Sequence, residues 1–250
     1  MISLIYIHTQ EWLRLKFLQV AFFLAFAYIC ISYLLGSLSF TEQLRIKYDL
    51  GLAGLEITTF LVSAFIANHA LHRDIDRKTF QVILARPIAR WHLLVGYLGS
   101  LALLNLILVL LLGTTMVLFF GAEINLISFL IILFTILLKS VLIGSFGIML
   151  STLVRPMFGL VMTVAYWVLA YSVSDIIYFI NKIDHQLAEF ILKMFHIFIP
   201  QFYLFNWKSY IYLKNSFILT EVIWSWFHCL GWTMLLLFIS SLIIRKKDII

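Results

Sequence analysis

His92–Phe120 reads HLLVGYLGSLALLNLILVLLLGTTMVLFF, 29 residues without a single Asp, Glu, Lys or Arg. A helix at a water-facing surface needs a polar face, and this run has none to offer. At 1.5 Å per residue it extends about 43 Å, enough to cross a hydrocarbon core of about 30 Å with tilt or a protruding end. The strands of a membrane barrel would instead appear as segments of about ten alternating residues. The run is therefore expected to be a transmembrane helix, and the rest of the chain repeats the pattern. Of its 250 residues 63% are apolar and 12% charged, at a mean hydropathy of +1.04. A soluble domain would carry about 25% charged residues. The sequence predicts an all-α membrane protein with six transmembrane helices at residues 17–36, 51–72, 92–120, 126–154, 157–180 and 222–244.

The segments between these runs complete a single transmembrane domain, 1–250. Residues 1–16, MISLIYIHTQEWLRLK, mix apolar and polar side chains and place Trp12, Arg14 and Lys16 before the first long run. They are expected to form an amphipathic helix at the membrane interface. The 20 residues from Phe17 to Gly36 exceed the apolar core of a cleaved signal, so this run is expected to remain as the first span. With the N-terminus inside, the inner segments carry eleven Lys and Arg in 44 residues and the outer ones six in 60. That asymmetry predicts a multi-pass protein with both termini cytoplasmic, in a bacterial-type inner membrane. The 183–214 region, rich in aromatics but interrupted by Glu189, Lys193, His196 and Pro200, reads as short outer-face helices.

Few residues point to chemistry. Cys30 and Cys229 lie in apolar runs and form no CxxC or zinc spacing, so they read as small packing residues. His69 and His72 stand at i and i+3, yet no third ligand completes a metal site around them. No Gly is followed by Lys, which removes the phosphate-binding loop, and no H-E-x-x-H or G-x-S-x-G occurs. No catalytic residue, metal or bound cofactor is expected in this chain. The net charge of +6 is explained by topology, so no nucleic-acid partner is expected. Gly96/Gly99 and Gly144/Gly147 read as close helix packing. Lys139 is the charged residue inside the fourth run, where insertion costs roughly 2.5–3.5 kcal/mol. Counting from the ends of the apolar runs puts it about 20 Å deep and Glu56 only about 8 Å deep. Asn105, at a depth closer to that of Lys139, is therefore expected as its polar neighbour, in an intramembrane contact or along a pathway.

The most informative connection is the inner one, HRDIDRKTFQVILARPIARW, from His72 to Trp91. Ile75, Phe80, Ile83 and Leu84 approximate one helical face, Asp74 and Asp76 suit a helix N-terminus, and Pro87 closes the pattern. A bare topogenic loop has no need of such a face, so residues 74–90 are expected to form a short cytoplasmic docking helix.

Here the chain resembles the ABC-2-type permeases, the membrane subunits of ATP-driven exporters. The resemblance rests on the acidic start, then Arg77-Lys78-Thr79, a short apolar stretch, Ala85-Arg86-Pro87-Ile88-Ala89-Arg90-Trp91 and Leu94-Val95-Gly96-Tyr97. That family typically shows E-x-x-x-G-T-L-x-x-L-L-x-x-P-x-S-R-x-x-x-L-x-G-K; Lys78, Ala89 and Tyr97 depart from its usual Gly, Ser and Lys. The run Gly144–Arg155, GSFGIMLSTLVR, resembles the family's small-residue-rich end of span four. The resemblance implies an exporter subunit that contacts a dimeric ATP-binding-cassette ATPase through a coupling helix made of Asp74, Asp76, Arg77, Lys78, Thr79, Phe80, Gln81, Arg86, Pro87 and Arg90. It implies that ATP and Mg are bound by that partner, and that a second permease copy, as a homodimer or a paired homologue, completes the path. Two other readings fit the residues: an ATP-driven complex doing mechanical or regulatory work without carrying a solute, and a polytopic membrane enzyme using His69/His72 or Asp175.

Overall fold

The computed structural model of the chain describes residues 2–40, 42–76, 90–120, 125–180, 190, 194, 199–208 and 219–246. Among these residues the architecture is helical, with no strand. A short helix, α1 (Ile2–Leu13), precedes six long ones: α2 (Lys16–Leu38), α3 (Gln43–Asp76), α4 (Arg90–Phe120), α5 (Leu126–Leu153), α6 (Pro156–Ile180) and α7 (Leu219–Lys246). All six long helices are long and apolar enough to cross a membrane. Each expected span falls within one of them or within a residue of its ends.

The second long helix, α3, departs most from expectation. It begins at Gln43 rather than Gly51 and runs on to Asp76. Polar residues in its first two turns hide this start from a hydropathy reading, but those turns are held in place. Lys47's carbonyl accepts from Ser32 Oγ at 2.6 Å, and Tyr48 is buried edge-on against Phe120 and Phe129. Asp74 and Asp76 consequently end α3 instead of opening a new helix. Residues 77–89, which hold the rest of the expected coupling helix, lie outside the described residues, as does most of 183–214.

Packing order follows from burial. In their most apolar windows α3 and α5 are 72% and 67% buried, whereas α2, α6 and α7 are 22–28% buried and present Phe23, Phe158, Trp224 and Phe238 outward. The helix pair α3 and α5 is thus the centre, and the other helices surround it. Close approach depends on small residues. A Cβ on Gly147 would lie 2.8 Å from the Ala67 methyl group, and one on Gly144 would lie 2.7 Å from Leu101, so these glycines bring α5 against α3 and α4 as their spacing predicts. Beside this contact Asn68 is fully buried and donates to Ala64's carbonyl and to Thr163 Oγ1 of α6, at 2.8 and 2.9 Å.

At one end of the bundle α1 packs on α4 and on the last turn of α3. Trp12 is 1% exposed and stacks with Tyr97, whose hydroxyl donates to Asp74. Arg73 and Glu11 form an ion pair at 3.0 Å, and Ser100 Oγ lies 3.1 Å from Ile5's carbonyl. His8 sits between Trp12 and Tyr97 with its Nδ1 buried and unpartnered. Burial holds its imidazole below the ordinary value of 6.5, outweighing the Asp74 and Glu11 carboxylates that favour the charged form; Arg73 reinforces the depression.

A group whose pKa is lower in the folded state stabilises that state above the unfolded value and loses the contribution as pH falls through the folded one. Docking of α1 is therefore expected to weaken as pH drops below about 6.5. Hydrogen exchange of α1 amides at pH 7.5 and pH 5 measures this, and His8→Phe is expected to flatten the dependence. Equal protection of α1 in the wild-type protein at both values would refute it.

Candidate functional site: a buried ionic cluster

Lys139 and Glu56 find each other. Lys139 Nζ lies 2.6 Å from Glu56 Oε1, with both side chains under 10% exposed. This corrects the expectation drawn from the apolar runs, which made Glu56 too shallow. Measured from the true helix starts, Gln43 and Leu126, both residues stand thirteen positions in, about 20 Å along their axes. The polar turns that open α3 supply the missing length.

Asn105 does not reach Lys139. Its Nδ2 donates to Ser63 Oγ at 2.7 Å, and Ser63 in turn donates to Thr59's carbonyl, also at 2.7 Å. Asn105 thus ties α4 to α3 about two turns further along α3 than Glu56.

Two residues absent from the sequence-based site complete the cluster. Tyr171 of α6 donates its hydroxyl to Glu56 Oε1, and Lys139 Nζ lies 3.0 Å from the same hydroxyl. Lys208 reaches in from the segment between α6 and α7 and places Nζ 2.7 Å from Glu56 Oε2. That segment enters at the 3-10 turn Phe202–Phe205, whose two phenylalanines are buried at 0% and 3% exposure. Phe202 stands edge-on to Tyr171, and Lys139 Nζ lies 5.2 Å from the Tyr171 ring centre and 6.0 Å from that of Phe202. The local sequence explains the entry: Phe202, Phe205 and Trp207 bury apolar area while Lys208 follows with the charge.

The electrostatic consequence is specific. Among the described residues one carboxylate faces two ammonium groups, a formal excess of one positive charge. Lys208 is the accessible member, with a side chain 23% exposed against 7% for Lys139 and 8% for Glu56. Beside Lys208, Asn206 and Trp207 border a cavity of about 690 Å³ whose wall also includes Tyr203, Trp224, Ser225 and His228. Among the described residues the arrangement places charge and shape, and it shows no nucleophile paired with a base.

His69 Nδ1 lies 2.8 Å from Phe65's carbonyl and His72 Nε2 lies 2.9 Å from Val154's carbonyl, each nitrogen donating to an oxygen that only accepts. Both rings border a second cavity, about 460 Å³, together with Trp12, Phe65, Arg73 and Pro156. Asp175 is exposed, one turn beyond Tyr171. Cys229 is buried and its thiol donates to Leu138's carbonyl at 3.2 Å, while Cys30 is a partly buried free thiol. Arg77, Lys78, Thr79, Phe80, Gln81, Arg86 and Pro87 lie outside the described residues, and Arg90 is the first residue of α4.

The sharing of one carboxylate by two lysines makes an asymmetric set of mutations. Glu56→Gln strands both ammonium groups and is expected to lose roughly 3–5 kcal/mol of stability, the scale for breaking a buried ion pair. Lys139→Met leaves Glu56 paired with Lys208 and is expected to insert, fold and lose less. Glu56→Gln combined with Lys139→Met is expected to recover part of the loss, and Lys139→Glu to be worse than Lys139→Arg. Denaturation in one lipid composition checks the order; a greater loss from Lys139→Met than from Glu56→Gln contradicts it.

In comparisons with known proteins the chain matches no family model and no curated protein.

Proposed function

We propose that the chain is the transmembrane subunit of an ABC-type exporter, transmitting the closure of a separate ATPase dimer to its own helices to move a substrate outward. In this reading α1 lies at the cytoplasmic interface, residues 74–90 form the contact with the ATPase, and a second permease copy or homologue completes the path. ATP and Mg belong to the ATPase.

The observation that carries the proposal is the way the two helix ends flanking residues 77–89 are bound to each other and to α1. Asp74 of α3 accepts from Tyr97 of α4, and the neighbouring Arg73 pairs with Glu11 of α1. A load applied to the connecting segment falls on this tied group, not on two independent helix ends. From there α3 runs as one helix of 34 residues past the Asn68 contact to Glu56. A packed helix transmits displacement as a unit because its interior neighbours resist compression. Motion at Asp74 is thereby linked to the ionic cluster about 27 Å away along the helix axis. The coupling motif and the small-residue run Gly144–Arg155 support the same reading from the sequence side.

The purified chain alone is expected to hydrolyse no ATP in lipid and to form a stable complex with an ATPase subunit, in which a crosslinker at Thr79 or Gln81 labels the ATPase. Exchanging charge with Asp76→Arg and Arg77→Asp, or placing Phe80→Pro, is expected to abolish transport or release the ATPase while membrane insertion persists. Robust ATP turnover by the lone chain overturns the proposal. So does labelling of the ATPase from exposed positions elsewhere but from neither Thr79 nor Gln81. Complex formation and coupled turnover without solute movement would instead favour mechanical or regulatory work.

A further inference from the structure

We infer that the Lys139–Lys208 pair is a binding site for the anionic headgroup of an amphiphile, a phosphate or carboxylate on an apolar chain, held alongside Glu56. The inference concerns this chain by itself and does not depend on an ATPase partner.

Charge balance is the first argument. A buried ion pair is tolerated when its charges compensate, and a second ammonium on the same carboxylate leaves a surplus that a low-dielectric surrounding penalises. The helices alone already give Glu56 a cation in Lys139, which is itself held by Tyr171. Lys208 nonetheless reaches Glu56 Oε2 from outside the six long helices. An incoming anion between the two ammonium groups would neutralise the surplus. Among the described residues no second carboxylate pairs with either lysine, and Asp175 is exposed one turn beyond Tyr171.

Access and shape are the second argument. Lys208 keeps part of its side chain exposed, and the two residues before it wall the 690 Å³ cavity. The cavity combines Tyr203, Trp207 and Trp224 with the polar groups of Asn206, Ser225 and His228. Trp224 is 75% exposed on α7. Its indole offers the apolar surface on which an acyl chain would lie while the headgroup passes Asn206 towards Lys208. Glu221 also borders the cavity, from the exposed first turn of α7, while Lys208 directly follows the wall residues Asn206 and Trp207 in the chain. Ammonium groups bind phosphate and carboxylate by charge-assisted hydrogen bonds, and Lys208 retains donors beyond the one it spends on Glu56.

Tryptophan fluorescence of the full chain in neutral maltoside micelles tests the site, with dodecyl phosphate, inorganic phosphate and dodecyltrimethylammonium as the three probes and the thermal midpoint as a control for folding. Dodecyl phosphate is expected to saturate a single site. Its Kd is expected to rise about tenfold in Lys208→Gln and in Lys139→Met, each of which removes one charge-assisted contact, and to stay within about threefold in Lys208→Arg. The ammonium probe is expected not to saturate, and inorganic phosphate to bind at least about tenfold more weakly than the dodecyl ester, whose chain adds apolar contact. Equal affinity for the two phosphates would assign the pair to free anions and overturn the amphiphile. Equal Kd in the wild-type chain and a folded Lys208→Gln variant, or saturation by the ammonium probe, would overturn the site altogether.

Discussion

The carboxylate of Glu56 is the point on which the helix arrangement turns. It stands inside the most buried helix of the bundle and takes Lys139 of α5, Tyr171 of α6 and Lys208 of the segment before α7. In a medium of low dielectric an ionised group without partners is costly, so each of these contacts constrains the element that supplies it. The axial position of α3 against α5 is set where two residues thirteen places into their helices coincide. The path of residues 199–208 is set by the same carboxylate, because Lys208 reaches it only if Phe202 and Phe205 are drawn in among the helices.

Around that charge the bundle is closed by a different kind of contact. Apolar side chains gain no hydrophobic drive from association within lipid, so helices there depend on close packing and interhelical hydrogen bonds. Gly144 and Gly147 supply the close approach on α5, and Asn68 with Thr163, and Asn105 with Ser63, supply the polar ties. These ties all involve α3 or the helices touching it. The outer helices α2, α6 and α7 expose large apolar residues, as lipid-facing surfaces require.

The far end of α3 holds a second charged group, made from Arg73, Asp74, Glu11 and Tyr97 and covered by Trp12 of α1. One continuous helix therefore joins two polar centres, one beside residues 77–89 and one beside the cavity walled by Asn206, Trp207 and Trp224. This continuity is the physical basis for reading the chain as a transducer. In the proposed reading the centre at Asp74 would receive force, and the centre at Glu56 would hold the groups that bind an anion.

The six long helices were legible in the sequence because span length and hydropathy are local properties: His92–Phe120 announces a membrane helix without knowledge of any neighbour. The close-packing role of Gly144 and Gly147 was legible for the same reason, as small residues at helical spacing leave a groove wherever they occur. The start of α3 was not, because Gln43–Asp49 is polar and is kept helical by contacts with α2, α4 and α5. That unseen extension shifted the apparent depth of Glu56 and directed Lys139 to Asn105 instead. Lys208 carried no signal at all, being one lysine among the polar interruptions of an aromatic segment. Hydropathy determined which residues enter the membrane region; only the tertiary structure decided which charges meet there, because pairing depends on the axial offset between helices and on a chain segment turning back into the bundle, neither of which is encoded in a local run.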